Sequence, residues 1–290
     1  VDYIPDLFIT VGSNVISKKI KSLFRRHKKI IADHWHFGDE VMDTFQSLTK
    51  LIKAEANPIL SYLSGSLESN ASQFGNSWRA RFFEMEQRHI EFLKTSAYSD
   101  LKVFEIINDF IPDQTSVQMG NSSVVRYIQL FNQIRTVSYF GNRGVSGIEG
   151  STSTAVGAAQ SCDELTLLIS GDQAFRYDSN ALAIKNGTEN LRVIVINNGG
   201  GNIFRIIDGP KDHDVSHDYI EKVDEQPIGK LVEYHGIDYK EARNFSSLVK
   251  GLEWLFNPER STSGVLEIFT PRVDSPQIFK SYLGFLKEGK

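Results

Sequence analysis

An acid and a pair of amides stand at the ends of two apolar runs in the middle of this chain. Gly171-Asp172 follows LTLLIS, and Asn197-Asn198 follows LRVIVI. The stretch between them has the length of a crossover helix and its return strand. This spacing predicts neighbouring parallel strands whose carboxyl ends bring a carboxylate and an amide side by side. In open α/β sheets, ligands bind at that edge. Gly199, Gly200 and Gly201 then let the backbone turn sharply and approach a ligand that a Cβ would obstruct. The amides after Gly171, in a turn leading toward a helix, suit phosphate oxygens.

The elements around these residues read as α/β throughout. Leu7 to Val11 is an apolar strand, followed by Gly12-Ser13-Asn14, an amphipathic helix and a second strand at Lys29 to Ala32. This βαβ unit has one glycine where a dinucleotide fingerprint has three, so it reads as a structural Rossmann-like half. From Ala56 to Asn76 the chain turns polar and serine-rich, which suggests a boundary between a domain at 1–70 and another at 71–290. Helices are expected at Trp78 to Leu93 and Tyr98 to Ile111, the latter ending at Pro112. Strands are expected at Val117 to Met119, Thr136 to Tyr139, Leu165 to Ser170, Leu191 to Ile196 and Val265 to Phe269. Between and after them lie helices at Ser151 to Gln160, Asp178 to Lys185, Pro227 to Tyr234, Ser246 to Phe256 and Pro276 to Leu286. Continuous apolar strands alternating with helices predict a parallel sheet covered on both faces.

Composition narrows the function classes. The 290 residues carry 23% charged and 40% hydrophobic side chains and a net charge of −4, which gives no drive toward nucleic acid. The basic run from Lys18 to Lys29 has Ile20, Leu23 and Phe24 at helical spacing, so its charges fall on a solvated face. A single cysteine, Cys162, rules out a disulfide framework within the chain and fits a reducing, cytoplasmic setting. No apolar run approaches the ~18 residues of a membrane span. The chain starts with Val and enters a strand by Leu7, which reads as a fragment or processed product.

The Asp/Asn pair resembles the thiamine diphosphate motif, in which both residues hold a magnesium ion that clamps the cofactor's diphosphate. Mg²⁺ takes octahedral oxygen ligands, here the Asp172 carboxylate, the Asn198 side-chain oxygen and one backbone carbonyl. The generic motif has a third glycine where this chain has Gln173, so the motif by itself leaves open an ordinary strand-end turn with an aspartate cap. Two further strand-end loops bear on that choice. Gly120 to Arg126 (GNSSVVR) offers a hydroxyl and a guanidinium, and Asn142 to Gly150 (NRGVSGIEG) has three glycines and a second arginine. Arg126 and Arg143 suit bidentate carboxylate binding, although either could form a structural ion pair.

Taken in order, GNSSVVR, FGNRGVSGIEG and GDQAFRYDSNAL followed by VINNGGGNIF resemble the menaquinone-pathway 2-succinyl-5-enolpyruvyl-6-hydroxy-3-cyclohexene-1-carboxylate synthases. The resemblance is strongest from Gly120 to Ile207. It implies a thiamine diphosphate-binding domain preceded by the end of a Rossmann-like central domain. It also implies Mg²⁺ or Mn²⁺ on Asp172, Asn198 and the Gly200 carbonyl. Ser146, Gly147, Gly171, Gln173 and Ile203 would line the cofactor, with Ile148 as the apolar wedge that holds it bent. Ser122, Arg126 and Arg143 would take substrate carboxylates, and Phe204 and Ile207 would complete an apolar wall with Ile203. The implied reaction is decarboxylation of 2-oxoglutarate and addition of the succinyl carbanion equivalent to isochorismate. A homodimer or homotetramer is implied as well. The family's triggering glutamate sits in an N-terminal domain with no recognisable version here, so the chain alone is expected to be inert.

Two other readings compete. One is a different thiamine diphosphate carboligase or decarboxylase of the acetolactate-synthase type, whose pyruvate pocket needs less positive charge. The other is a non-catalytic, nucleotide-binding or scaffolding α/β module. Histidines at His213 and His217 have zinc spacing but no evident third ligand, and they read as a solvated loop. His34 and His36, two apart beyond a strand, read as surface packing.

Overall fold

The computed structural model describes residues 3–12, 15, 17–68, 72–184, 186–206 and 221–288. Two compact units divide the chain, Val1–Arg88 and His89–Lys290. Among the described residues, no helix is long and apolar enough to cross a membrane.

In the first unit, β1 (Leu7–Val11), β2 (Asp33–Phe37) and β3 (Lys50–Ile52) form a parallel sheet in that order. Helix α1 (Lys18–Arg26) connects β1 to β2, with Ser17 capping its start by accepting from Ile20 N (3.3 Å). Phe24 of α1 is buried with Ile31 and Phe45, while Lys18, Lys19, Arg25 and Arg26 stay exposed, as the amphipathic spacing predicts. The second strand sits later than the apolar KIIA segment suggests. Ile30 is exposed at a turn, and the β-prone aromatic run from Asp33 to Phe37 pairs instead. His34 and His36 therefore lie within β2 and are buried, not surface groups. Both hydrogen-bond Thr10 Oγ1, each at 3.0 Å, and His34 also meets Ser47 Oγ at 3.0 Å. Burial holds the His34 imidazole below its ordinary pKa. The serine-rich stretch contains a helix, α2 (Ala56–Ser66), and α3 (Gln73–Thr95) follows.

The second unit is built on six parallel strands: β4 (Ser116–Met119), β5 (Ser138–Gly141), β6 (Thr166–Gly171), β7 (Leu191–Asn197), β8 (Asp238–Ala242) and β9 (Gly264–Phe269). Their spatial order is β5-β4-β6-β7-β9-β8. Side chains alternate between two apolar layers, as period-2 geometry requires. Leu167, Ile169, Ile194, Ile196, Leu266 and Ile268 face α4 (Asp100–Phe110), α9 (Phe245–Leu255) and α10 (Asp274–Phe285). Leu168, Val193, Val195 and Val265 face α6 (Ser151–Ser161) and α8 (Gly229–Tyr234). Two short helices were not evident from periodicity: α5 (Val124–Ile128) and α7 (Asp172–Tyr177). The helix expected after Asp178 is a 3₁₀ turn, Ser179–Ala183. Helix α7 ends at Asp178, whose carboxylate turns to accept from Ser153 N (2.7 Å) and Ser153 Oγ (2.6 Å) at the start of α6.

Glu267 of β9 falls on the face toward α8 and is fully buried. It accepts from Ile228 N (3.0 Å), Asn197 Nδ2 (2.6 Å) and the Tyr239 hydroxyl. Asn197 Oδ1 in turn accepts from Gly199 N (3.1 Å), so this carboxylate braces the turn after β7. Replacing it with an apolar isostere strips Ile228 N of its acceptor and leaves Asn197 Nδ2 only a long bond to Gln226 O (3.4 Å). Glu267→Leu is therefore expected to lower stability by about 2–5 kcal/mol in urea unfolding.

Candidate functional site

The chain leaves β4 to one side for β5, then returns on the other side as β6. A crevice must open at the carboxyl ends of strands where the order reverses in this way. The register places Met119 opposite Ile169 and Gly171 opposite Ile196, so Asn121, Asp172 and Asn198 all emerge at that edge. A cavity of about 330 Å³ lies there, with Asp100, Asn121, Ser122, Ile148, Gly171, Asp172, Gln173, Asn198, Gly200, Asn202, Ile203 and Phe204 in its wall.

Asp172 is 2% exposed, and its Oδ2 is buried with no hydrogen-bond partner among the described residues. Burial drives its pKa up to about 7, with Gln173 and Arg176 opposing and Asp224 adding to the rise. Gln173 Nε2 and both side-chain polar atoms of Asn202 are likewise buried without partners among the described residues. Each such group costs about 1–3 kcal/mol unless something in the cavity pairs with it.

Asn198 is in a different situation. Its Nδ2 donates to Asp100 Oδ2 (3.0 Å), which commits the amide nitrogen and leaves Oδ1 as the available end. Asp100 is itself buried at the start of α4, where its carboxylate accepts from Thr270 Oγ1. Burial raises the Asp100 pKa, and the hydrogen bonds from Thr270, Asn198 and Ser275 work against that rise.

Gly200 has φ +131°, and a Cβ built on it would lie 2.8 Å from Glu221 O and 3.0 Å from Lys222 O. Only glycine fits under that strand of backbone. Its carbonyl accepts from Asn202 N (2.8 Å) and keeps a second lone pair. The covering segment is fixed by Glu221, which pairs with Arg205 (2.9 Å) and Arg272 (3.4 Å).

Asn121 ties the second glycine-containing loop to the end of β4. Its Nδ2 donates to Asn142 O (2.9 Å) and Gly147 O (2.6 Å), and its Oδ1 accepts from Arg143 Nη1 (2.5 Å). Ser122 and Ser146 have φ of +70° and +61°, a left-handed conformation that non-glycine residues hold only under external constraint. Arg126 is half-buried and donates to Ser122 O. Burial, reinforced by the nearby Arg143 charge, lowers its guanidinium pKa. Two cations this close favour an anion between or beside them.

The sequence-predicted residues thus separate into three groups. Ser122, Ile148, Gly171, Asp172, Gln173, Asn198, Gly200, Ile203 and Phe204 line the one cavity. Arg126, Arg143 and Gly147 stand outside its wall, joined to it through Ser122 and Asn121, and Ser146, also outside, donates to Arg143 O (3.4 Å). Ile207, His213 and His217 lie outside the described residues. Sequence reasoning missed Asp100, Asn121 and Asn202. Ser99-Asp100 carries the signal of a helix start, with Ser99 accepting from Lys102 N (3.5 Å), but nothing local says that Asp100 reaches Asn198. Asn121 sits inside a motif that had been read for its hydroxyl and guanidinium.

Fold and site together define a parallel α/β domain of the thiamine diphosphate-binding type. No family model matches the chain. Among curated proteins it is 36% identical over 279 residues to the 2-succinyl-5-enolpyruvyl-6-hydroxy-3-cyclohexene-1-carboxylate synthase of Flavobacterium johnsoniae, an alignment covering 96% of this chain and 50% of that protein. The synthase of the same name from Bacteroides thetaiotaomicron is 33% identical, covering 98% of this chain and 50% of its own length. That of Cytophaga hutchinsonii is 35% identical, again with 96% of this chain and 50% of the relative covered. The chain is a homologue of these synthases and spans about half the length of the curated relatives it matches.

Removing the Asn121 side chain should release the 142–150 loop from β4. Asn121→Ala is expected to speed tryptic cleavage after Arg143 by roughly tenfold, the effect of losing about 1.4 kcal/mol of net hydrogen bonding.

Proposed function

We propose that this chain supplies the diphosphate- and magnesium-binding part of a menaquinone-pathway synthase. The reaction is decarboxylation of 2-oxoglutarate with loss of CO₂ and addition of the remaining succinyl unit to isochorismate. The observation that carries this reading is the buried Oδ2 of Asp172, without a hydrogen-bond partner among the described residues, in the same cavity as an Asn198 whose oxygen is left available. A carboxylate raised toward neutrality by burial needs a cation to hold it ionised, and hard oxygen donors of this kind suit Mg²⁺ or Mn²⁺. Among the described residues no group of three or more His, Cys, Asp or Glu side chains converges. The cation therefore relies on one carboxylate, the Asn198 amide oxygen and the Gly200 carbonyl, with diphosphate oxygens and water completing its shell.

Thiamine diphosphate, when bound, supplies the electron sink that decarboxylation requires. The protein's own side chains bind, orient and exclude water around it. Ile148, in the cavity wall, would supply an apolar surface for the cofactor to rest against. Gly171 and Gln173 in the cavity wall, with Ser146 and Gly147 on the loop beside it, would line the cofactor. Ser122, Arg126 and Arg143 would bind substrate carboxylates, Ser122 from within the cavity wall. Ile203 and Phe204, both in the cavity lining, would form the apolar wall. Residues 1–70 belong to the central domain and 71–290 to the cofactor domain, and the assembled protein is a homodimer or homotetramer.

The runner-up, an acetolactate-synthase-type enzyme, is disfavoured by the two arginines, since pyruvate brings a single carboxylate. In the full-length protein, calorimetric titration should show thiamine diphosphate binding that requires Mg²⁺ and disappears in Asp172→Ala. Arg126→Ala should raise KM for 2-oxoglutarate by tenfold or more, roughly the loss of one charge-assisted hydrogen bond. Faster turnover of pyruvate than of 2-oxoglutarate would favour the runner-up. Absence of cofactor binding would favour a non-catalytic module.

A further inference from the structure

An asparagine can serve a cation only when its oxygen faces it. Turned by 180°, the same side chain has nearly the same shape and presents two N–H donors instead. Something must therefore choose the orientation of Asn198. The polar neighbours Asp172, Gln173 and Asn202 in the cavity wall make no hydrogen bond to the Asn198 side chain, and among the described residues each has an atom without a partner.

We infer that Asp100 is the positioning residue that turns the Asn198 oxygen toward the cavity, an inference that rests on Asn198 being a cation ligand. Asp100 Oδ2 accepts from Asn198 Nδ2 at 3.0 Å. The reversed amide would set its oxygen against that carboxylate oxygen, lone pair against lone pair, while its nitrogen faced the site. Asp100 cannot swing away to relieve this. It is 1% exposed, its other oxygen accepts from Thr270 Oγ1, and its backbone N–H donates to Ser275 Oγ (3.1 Å). Thr270 is anchored in turn, its N–H donating to Asn197 O at 3.0 Å. The start of α4, the ends of β7 and β9 and the start of α10 therefore converge on Asp100, whose carboxylate acts on the cation through Asn198. Partners of metal ligands set ligand orientation in this way, and their loss typically weakens metal binding 10–100-fold.

The test is Mn²⁺ binding, followed by electron paramagnetic resonance in the full-length protein with thiamine diphosphate present. Asp100→Leu, confirmed as folded by near-ultraviolet circular dichroism, should weaken Mn²⁺ binding by about 10–100-fold. Asp100→Asn should stay near the wild-type value, because its amide oxygen can still accept from Asn198 while its nitrogen donates to the Thr270 hydroxyl. Asn198→Asp should bind poorly, with two carboxylates opposed. The double variant N198D/D100N, in which amide and carboxylate have exchanged places, should recover binding. If Asp100→Leu does not fold, the comparison of N198D with the double variant decides, and absence of recovery overturns the inference. Wild-type binding matched by folded Asp100→Leu would overturn it alone. A wild type with no Asp172-dependent Mn²⁺ binding would overturn the reading of the site as well.

Discussion

The inner strands β6, β7 and β9 of the six-stranded sheet are largely apolar on both faces, and that constraint shapes the rest of the second unit. With Leu167, Ile169, Ile194 and Ile196 on one side and Leu168, Val193 and Val195 on the other, the middle strands admit charge only where it is hydrogen-bonded, as at Arg192 and Glu267. Polar chemistry is pushed to the strand ends. The reversal of strand order at β4 then opens one of those ends into a cavity. Packing and site location follow from the same burial pattern.

Three of the carboxylates buried at that end, among the described residues, differ in how their oxygens are satisfied. Glu267 is surrounded by neutral donors from Ile228, Asn197 and Tyr239. Asp100 is held by Thr270 and Asn198. Both bind pieces of the fold together. Asp172 has an oxygen that accepts no hydrogen bond among the described residues, although it is as buried as the others. The difference in hydrogen bonding, with burial held equal, is what directs attention to a bound cation there. The saturated acids also bear on function, because each holds one of the two consecutive asparagines at the end of β7.

Much of the fold was legible along the chain. The uniform apolar runs at Leu165 to Ser170, Leu191 to Ile196 and Val265 to Phe269 became β6, β7 and β9 with ends shifted by a residue. Short or mixed segments were less legible. The KIIA segment is apolar enough for a strand, but sheet pairing chose the histidine-containing run after it, so His34 and His36 became core groups sharing Thr10. Helix α7 is too short for hydrophobic period to register, and it ends where Asp178 finds a partner on α6.

For the site, residue type and spacing by themselves determined the Asp172 and Asn198 pair, the glycines between them and Ile203, and the two arginine-containing loops. Such choices are local: a strand end, a turn requiring φ that only glycine holds easily, a charge suited to an anion. Tertiary structure alone decided that Asp100 faces Asn198, that Asn121 tethers the 142–150 loop, and that the backbone of Glu221 and Lys222 covers Gly200. These contacts join residues far apart in the chain, and no period or motif encodes them. They exist because closing the sheet brings distant strand and helix ends to one edge, where each buried polar atom must find a partner or wait for a ligand.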